Sequence, residues 1–180
     1  PLVETVGLKK YFETPRGLLH AVDDISITIK EGRTLGVVGE SGCGKSTLGR
    51  VMVSLLEPTD GQMFFQGRDI FRYTKRELKE LKKDMQIIFQ DPYSSLNPRM
   101  TVSEIIAEPI LVTKTVVGKV NVANKIAEVM DTVGLAERLS AAYPHELDGG
   151  RRQRIGVARA LAVNPRFIVC DEPVSALDVS

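Results

Sequence analysis

The sequence predicts an α/β fold in which an antiparallel β portion precedes a phosphate-loop core with an inserted helical subdomain. Three observations predict it. Apolar and polar residues alternate near the N-terminus, as in a half-buried strand. A glycine-rich loop then joins a short apolar run to a helical pattern, and apolar strands return after a long helical stretch. This order is typical of a mainly parallel sheet covered by helices.

Length and composition narrow the class of protein. The chain has 180 residues, which suits one domain with an insertion. Its 24 Lys and Arg against 23 Asp and Glu give a net charge of +1, which argues against a nucleic-acid partner. Cys43 and Cys170 fit no zinc or paired-cysteine pattern, so a reducing, cytoplasmic setting is expected. No apolar run is long enough to span a membrane. The sequence also has no initiator methionine, so we expect a piece of a longer protein.

The N-terminal half is predicted to be rich in strands. Ile25, Ile27 and Ile29 alternate with polar residues, which favours a strand with one buried face. Thr74 and Glu77 have the spacing of a capping box, so a helix is expected to begin there. Hydrophobic spacing predicts the other elements, which are a strand at 35–38, a loop at 39–44, a helix at 45–56, a strand at 62–66 and a strand at 85–89.

The second half is predicted to be mainly helical. A loop with two prolines covers 91–98, and Thr101 with Glu104 forms a second capping box. Gly134 is expected to end a helix inside the pattern that runs to about residue 147. A helix at 150–162 and an apolar strand at 167–170 follow. We therefore divide the chain into a nucleotide-binding core part at 1–90, a helical insert at 91–148 and a core continuation at 149–180.

A glycine-rich loop carries the most specific chemical signal, because it fits the pattern G-x-x-x-x-G-K-[ST]. Glycines let successive backbone N–H groups point at phosphate oxygens, and the following helix adds the positive end of its dipole. The Lys45 ammonium is expected to reach the β- and γ-phosphates, and the Ser46 hydroxyl to ligate Mg²⁺. The predicted nucleotide-binding residues of this loop are Gly39, Glu40, Ser41, Gly42, Cys43, Gly44, Lys45, Ser46 and Thr47.

Two carboxylates follow the apolar strand at 167–170. In phosphate-loop enzymes an aspartate at this place holds Mg²⁺, directly or through water. The adjacent glutamate can orient and deprotonate the attacking water. Asp171 is therefore the predicted metal ligand and Glu172 the predicted general base.

Five motifs follow one another in a fixed order, at 39–47, 89–92, 147–153, 167–172 and 175–178. With these motifs the whole chain resembles the ATP-binding-cassette (ABC) ATPases, in which they are Walker A, the Q-loop, the signature, Walker B and the D-loop. The stretches 89–102 and 143–147 are similar, more narrowly, to the ATPase subunits of oligopeptide, dipeptide and nickel importers.

The resemblance implies an ATPase that binds ATP and Mg²⁺ and works as a head-to-tail dimer, either homo- or heterodimeric. Each ATP would lie between Walker A of one subunit and the signature of the other. Transmembrane permease subunits would hold the protein at the inner face of the cell membrane. The family's switch histidine follows the D-loop and lies past the end of this chain, so we expect altered turnover from these residues alone.

The resemblance also implies roles for residues outside the two Walker motifs. Tyr11 would stack on adenine, with a plain strand or core tyrosine as the alternative. Gln90 would approach Mg²⁺ and the attacking water, and would report nucleotide state to the permeases through the helical insert. Asp178 would act across the dimer interface. The signature residues Asp148, Gly149 and Gly150 would face the partner's γ-phosphate.

The signature departs from the family pattern at two positions. Asp148 replaces the usual serine, and Arg151 replaces the usual glutamine. Like charges about 4 Å apart repel by about 4 kcal/mol at an effective dielectric near 20. We therefore expect impaired closure at this site unless Arg151 or Mg²⁺ compensates. The neighbouring arginines, including Arg152 and Arg154, are expected to be solvated, and His145 to be structural.

Three functions remain open at this stage. The first is an energy-coupling ATPase that powers an importer, with peptides as the expected cargo. The second is a nucleotide-binding regulatory or assembly module with little hydrolysis, which the altered signature favours. The third is a soluble ABC ATPase that acts on DNA or ribosomes, against which the near-neutral charge argues.

Overall fold

The computed structural model describes residues 1–172 and divides the chain into two compact units, at 1–78 and 79–180. The predicted contribution of Asp178 and the D-loop lies outside the described residues. Within the described residues, no helix has both the length and the apolar character needed to cross a bilayer.

The first unit is built on an antiparallel sheet. Strand β1 (Val3–Thr14) pairs with β2 (Gly17–Ile29) and with β3 (Asp60–Phe65), and β3 pairs with β4 (Arg68–Asp69). The strand order is therefore β2-β1-β3-β4. The predicted antiparallel N-terminal portion is confirmed.

One helix packs against this sheet. Helix α1 (Lys45–Met52) contacts β1 and β2 and buries Leu48, Val51 and Met52, as its hydrophobic spacing predicts. The predicted extension to residue 56 is wrong. Ser54 adopts a left-handed conformation (φ 57°), which an α-helix does not accept, and Leu55 is exposed.

The strand predicted at 35–38 is absent, which corrects the sequence analysis. Leu35 and Val37 are about half exposed, and Val38 is 94% exposed. A strand needs a neighbour to satisfy its backbone N–H and C=O groups, and within residues 1–172 no strand pairs with this run. An apolar run indicates that a segment tends to be buried, but it does not show which strand would pair with that segment.

The second unit contains a parallel strand pair. Strand β5 (Met85–Ile88) pairs with β6 (Phe167–Cys170), with Ile88 opposite Cys170. The ladder continues one residue further, because the Asp171 N–H donates to the Ile88 carbonyl at 2.9 Å. The sequence predicted a mainly parallel sheet. Within residues 1–172, β5 and β6 form the one parallel pair, and the sheet of the first unit is antiparallel.

The described part of the second unit is otherwise mainly helical. Helix α2 (Lys75–Asp84) begins before the unit boundary and leads into β5. The later helices are α3 (Pro92–Ser95), α4 (Val102–Thr113), α5 (Lys119–Thr132) and α6 (Gly149–Leu161). Helices α4, α5 and α6 pack on one another around an apolar cluster. Its most deeply buried side chains include Ile105, Ile106, Ile110, Met130 and Ile155.

Local capping signals predict the helix boundaries well. Both capping boxes form, at Thr74 with Glu77 and at Thr101 with Glu104. Gly134 follows the end of α5 with φ 71°, as predicted. The loop expected at 91–98 is partly wrong, because α3 forms there. The Asp91 side chain accepts a hydrogen bond from the Tyr93 N–H and so caps this short helix.

The cap of α2 generates a prediction about pH. The Thr74 N–H, followed by the Arg68 guanidinium, lowers the pKa of Glu77 from 4.5 to about 2. A carboxyl group whose pKa is lower in the folded state stabilises the fold above its unfolded pKa and loses this effect as pH falls. Glu77→Gln should therefore lower Tm at neutral pH, and the difference should shrink between pH 4.5 and about 2.

Thermal melts followed by circular dichroism across this pH range would test the cap. Glu80→Gln is the matched control, because Glu80 lies on the same helix in an exposed pair with Lys83. A Tm difference for Glu77→Gln that stays constant with pH would contradict the assigned cause.

Candidate functional site

The phosphate loop connects β2 to α1 within the first unit. Residues 39–44 form neither helix nor strand, and α1 begins directly afterwards at Lys45. Gly44 occupies the N-cap with φ 101° and has no side chain with which to cap the helix. A helix start of this kind, with the positive end of the helix dipole, is where proteins receive phosphate.

The Lys45 side chain is folded back over the loop. Its Nζ donates hydrogen bonds to the carbonyls of Gly39, at 2.9 Å, and Glu40, at 2.7 Å. The Cys43 sulfur lies 3.8 Å from the same nitrogen, and this thiol is free and exposed. The ammonium is therefore held by loop carbonyls at the centre of the predicted phosphate cradle.

Gly44 also fixes the loop against strand β2. A Cβ built on Gly44 would lie 1.9 Å from the carbonyl oxygen of Ala21, so no other residue fits without moving the backbone. His20 precedes Ala21 and is directly opposite Tyr11 in the β1–β2 ladder. The predicted adenine-stacking residue thus belongs to the part of the sheet that adjoins the phosphate loop.

Parallel pairing brings two predicted catalytic side chains together in the second unit. Gln90 lies two residues after β5, and Glu172 lies two residues after β6. The Gln90 Nε2 donates a hydrogen bond to Glu172 Oε2 at 2.7 Å. Asp171 is buried beside them at 8% exposure, whereas Glu172 is exposed and has a left-handed backbone (φ 47°).

The donor chemistry of the predicted metal ligands suits Mg²⁺. A hydroxyl from Ser46, an amide oxygen from Gln90 and a carboxylate from Asp171 are hard oxygen ligands of the kind that Mg²⁺ binds. Within residues 1–172, no three His, Cys, Asp or Glu side chains are grouped to hold a metal by themselves.

The Asp148 carboxylate caps helix α6 at the signature. It accepts a hydrogen bond from the Arg151 N–H at 2.8 Å, and its second oxygen lies 3.5 Å from Arg151 Nη1. A serine at an N-cap makes the same kind of backbone contact, so the replacement preserves the helix start. The Arg151 guanidinium also places a positive charge beside the unusual carboxylate.

The signature helix holds the segment that follows Gln90. The Arg152 guanidinium lies 3.6 Å from the Tyr93 ring centroid, and Arg159 Nη1 donates to the Ser95 carbonyl at 2.6 Å. The prediction that the arginines of this helix are solvated is wrong for Arg152, which is only 7% exposed. Burial also lowers the pKa of Arg159.

The sequence analysis did not predict these two contacts. The seven-residue spacing of Arg152 and Arg159, which places both on one helix face, is the signal that could have indicated them. Arg154 donates to the Gly134 carbonyl at 3.0 Å at the end of α5. His145 stacks on Tyr143, with ring centroids 5.7 Å apart.

Comparison with known proteins identifies the family to which the chain belongs. The ABC transporter family matches residues 22–175. The chain is 54% identical to the oligopeptide transport ATP-binding protein OppF of Bacillus subtilis (strain 168), over 99% of this chain and 59% of the relative. It is 44% identical to the dipeptide transport ATP-binding protein DppF of Haemophilus influenzae (strain ATCC 51907 / DSM 11121 / KW20 / Rd), over 100% of this chain and 57% of that protein. The chain thus spans between half and three fifths of the curated relatives it matches.

A solved structure supports the predicted fold class. The ATP-binding cassette MJ0796, in a dimeric post-hydrolysis state bound to ADP and Pi, matches with a TM-score of 0.90 at 28% identity. The match covers 98% of this chain and 76% of that one. The predicted α/β phosphate-loop fold of the ABC ATPase type is therefore confirmed.

The contact between Gly44 and Ala21 generates a prediction about the loop. Gly44→Ala should lower stability by about 3 kcal/mol or more, because it combines a left-handed backbone with a backbone clash. Gly42→Ala is the matched control. Gly42 also has a positive φ of 80° but has open space around its Cβ position, so about 1–2 kcal/mol is expected. Urea unfolding measures both, and equal losses would show that the clash is relieved by small shifts.

Proposed function

Because this chain belongs to the ABC transporter family, we propose that it binds and hydrolyses ATP to power a peptide importer. The hydrogen bond between Gln90 and Glu172 carries the catalytic part of this proposal, because it joins a water-orienting amide to a general base. The peptide cargo is inferred from two relatives, which are described as oligopeptide and dipeptide transport ATP-binding proteins.

The residues suggest a direct division of labour in hydrolysis. The Glu172 carboxylate takes a proton from the attacking water, which Gln90 orients, while the water oxygen bonds to the γ-phosphorus. The bond from the γ-phosphorus to the bridging oxygen breaks, and ADP leaves with that oxygen. Lys45 exchanges its carbonyl partners for phosphate oxygens and offsets their charge. Ser46, Gln90 and Asp171 are the proposed ligands of Mg²⁺, which would supply positive charge to offset the phosphates when bound.

Partners and location form a second part of the proposal. Two such subunits pair head to tail, so that Walker A of one and the signature of the other enclose each ATP, with Asp178 acting across the interface. The structure of the cassette MJ0796 is dimeric, which supports the pairing of two subunits. Permease subunits hold the pair at the inner face of the membrane. The division into core parts at 1–90 and 149–180 around a helical insert at 91–148 belongs to the same proposal.

One observation favours a second function, a regulatory or assembly module that binds nucleotide with little turnover. In the proposed dimer, Asp148 would place a carboxylate where the signature of one subunit meets the γ-phosphate bound by the other. The Arg151 ion pair offsets part of this repulsion. Hydrolysis with reduced efficiency at this site is the outcome that best fits both observations.

The catalytic assignment is tested by separating nucleotide binding from turnover. In the complete protein with its partners, Glu172→Gln should keep ATP binding but lower kcat at least a hundredfold, because an amide cannot accept the proton. Lys45→Ala should weaken binding of ATP itself. Glu146→Gln is the control, since Glu146 caps a short helix in the same unit. Phosphate release together with equilibrium nucleotide binding measures both properties, and near-normal turnover by Glu172→Gln would refute the assigned base.

The signature is tested by exchanging its two unusual residues. Asp148→Ser keeps the helix cap and removes the negative charge, so hydrolysis by the assembled complex should rise about tenfold. Arg151→Gln alone should lower hydrolysis, because it leaves the Asp148 charge without its partner. The double variant should behave like Asp148→Ser. Unchanged turnover in Asp148→Ser would show that this carboxylate does not limit the reaction.

A further inference from the structure

Three polar and aromatic side chains form a cluster on the β1–β2 ladder that the proposed reaction does not yet use. The rings of Tyr11 and His20 are stacked, with centroids 3.9 Å apart and an angle of 14° between their planes. The Tyr11 hydroxyl donates a hydrogen bond to Asp23 Oδ1. The other oxygen of Asp23 lies 3.5 Å from Nδ1 of His20. The Asp23 carboxylate therefore contacts both the Tyr11 hydroxyl and the His20 imidazole.

The cluster is on the surface rather than in the core. The side chains of His20 and Asp23 are each about half exposed, and Tyr11 is of intermediate burial. The backbone of Tyr11 is fixed separately, because its N–H donates to Thr59 Oγ1 at 2.8 Å. The ring stack is thus an exposed aromatic surface mounted on an ordered strand pair.

The position of this surface relates it to the phosphate loop. His20 is directly opposite Tyr11, and the next residue, Ala21, has its carbonyl against Gly44 of the loop. If the phosphates of a nucleotide occupy the loop, its base can extend away from Gly44 along this part of the sheet. Aromatic rings are the usual platform for a base, because every base has a face that stacks.

The stack itself limits where a base can lie. The His20 imidazole covers one face of the Tyr11 ring, so the opposite face is the one left for a second stacking partner. We propose that His20 is a positioning residue, which backs the Tyr11 ring from behind and holds its plane ready for an adenine base. This inference rests on the proposed ATP-binding function.

The hydrogen bond between Tyr11 and Asp23 favours the protonation states of both groups that maintain it. The hydrogen bond to Asp23 raises the pKa of Tyr11 to about 12, so the phenol stays neutral near a negatively charged triphosphate. The same hydrogen bond lowers the pKa of Asp23, so its carboxylate remains charged and continues to accept from Tyr11.

The test separates stacking on the base from binding of the phosphates. Equilibrium binding of ATP and of inorganic tripolyphosphate is measured on the complete polypeptide, for wild type, His20→Ala and His20→Phe. His20→Ala should weaken ATP binding about three- to tenfold and leave tripolyphosphate binding unchanged, because only the base contact is loosened. His20→Phe restores a stacking ring and should recover most of the ATP affinity. Leu19→Ala, at an exposed neighbouring position of β2, is the matched control and should behave as wild type.

Other outcomes would overturn the inference. Tighter ATP binding by His20→Ala would show that the imidazole occupies the place of the base. Equal weakening for ATP and tripolyphosphate would assign His20 a general structural role, and unchanged ATP binding would assign it none.

Two further variants distinguish failure of this inference from failure of the proposed function. Normal ATP binding by Lys45→Ala would refute the proposed nucleotide site. Weakened ATP binding by Tyr11→Ala together with normal binding by His20→Ala would leave the adenine contact in place and refute only the role of His20.

Discussion

The parallel pairing of β5 with β6 is the constraint on which the catalytic part of the structure depends. Side chains just past the ends of two parallel strands emerge at the same edge, and this brings Gln90 within hydrogen-bond distance of Glu172 although 82 residues separate them in sequence. The Asp171 N–H extends the ladder by one residue and positions the backbone immediately before Glu172, the proposed general base. A shift of either strand by one residue would separate the amide from the carboxylate.

Helix α6 packs against β5 and against α3, the short helix that follows Gln90. Its start carries the signature, where Asp148 caps the first turn, and its buried face contacts the segment after Gln90 through Arg152 and Arg159. A buried guanidinium over an aromatic ring is a specific contact, since it requires the ring and the charge at one distance and orientation. A movement of the signature helix would therefore act directly on the residues that follow Gln90.

The phosphate loop depends on a different constraint, which is close backbone packing. Gly44 approaches Ala21 so closely that no side chain fits, and Lys45 fills the loop by bonding to its carbonyls. The loop therefore has a defined shape without bound phosphate. In the proposed function, the Lys45 ammonium would exchange the loop carbonyls for phosphate oxygens. Because Ala21 follows His20, the same strand that supports the loop also carries the paired rings proposed to receive the base.

Local patterns in the sequence were sufficient to predict most of the helices and strands. Both capping boxes, the end of α5 at Gly134 and the strand before Asp171 were predicted, because each depends on residues within a few positions of one another. Motifs also indicated the phosphate-loop residues and, separately, Gln90 and Glu172. Only the structure shows that Gln90 and Glu172 are in contact. Local patterns could not predict three features: the absence of a strand at 35–38, the burial of Arg152 and the stacking of His20 on Tyr11. Each depends on which other segment packs alongside, and the pattern of a single segment carries no information about its partner.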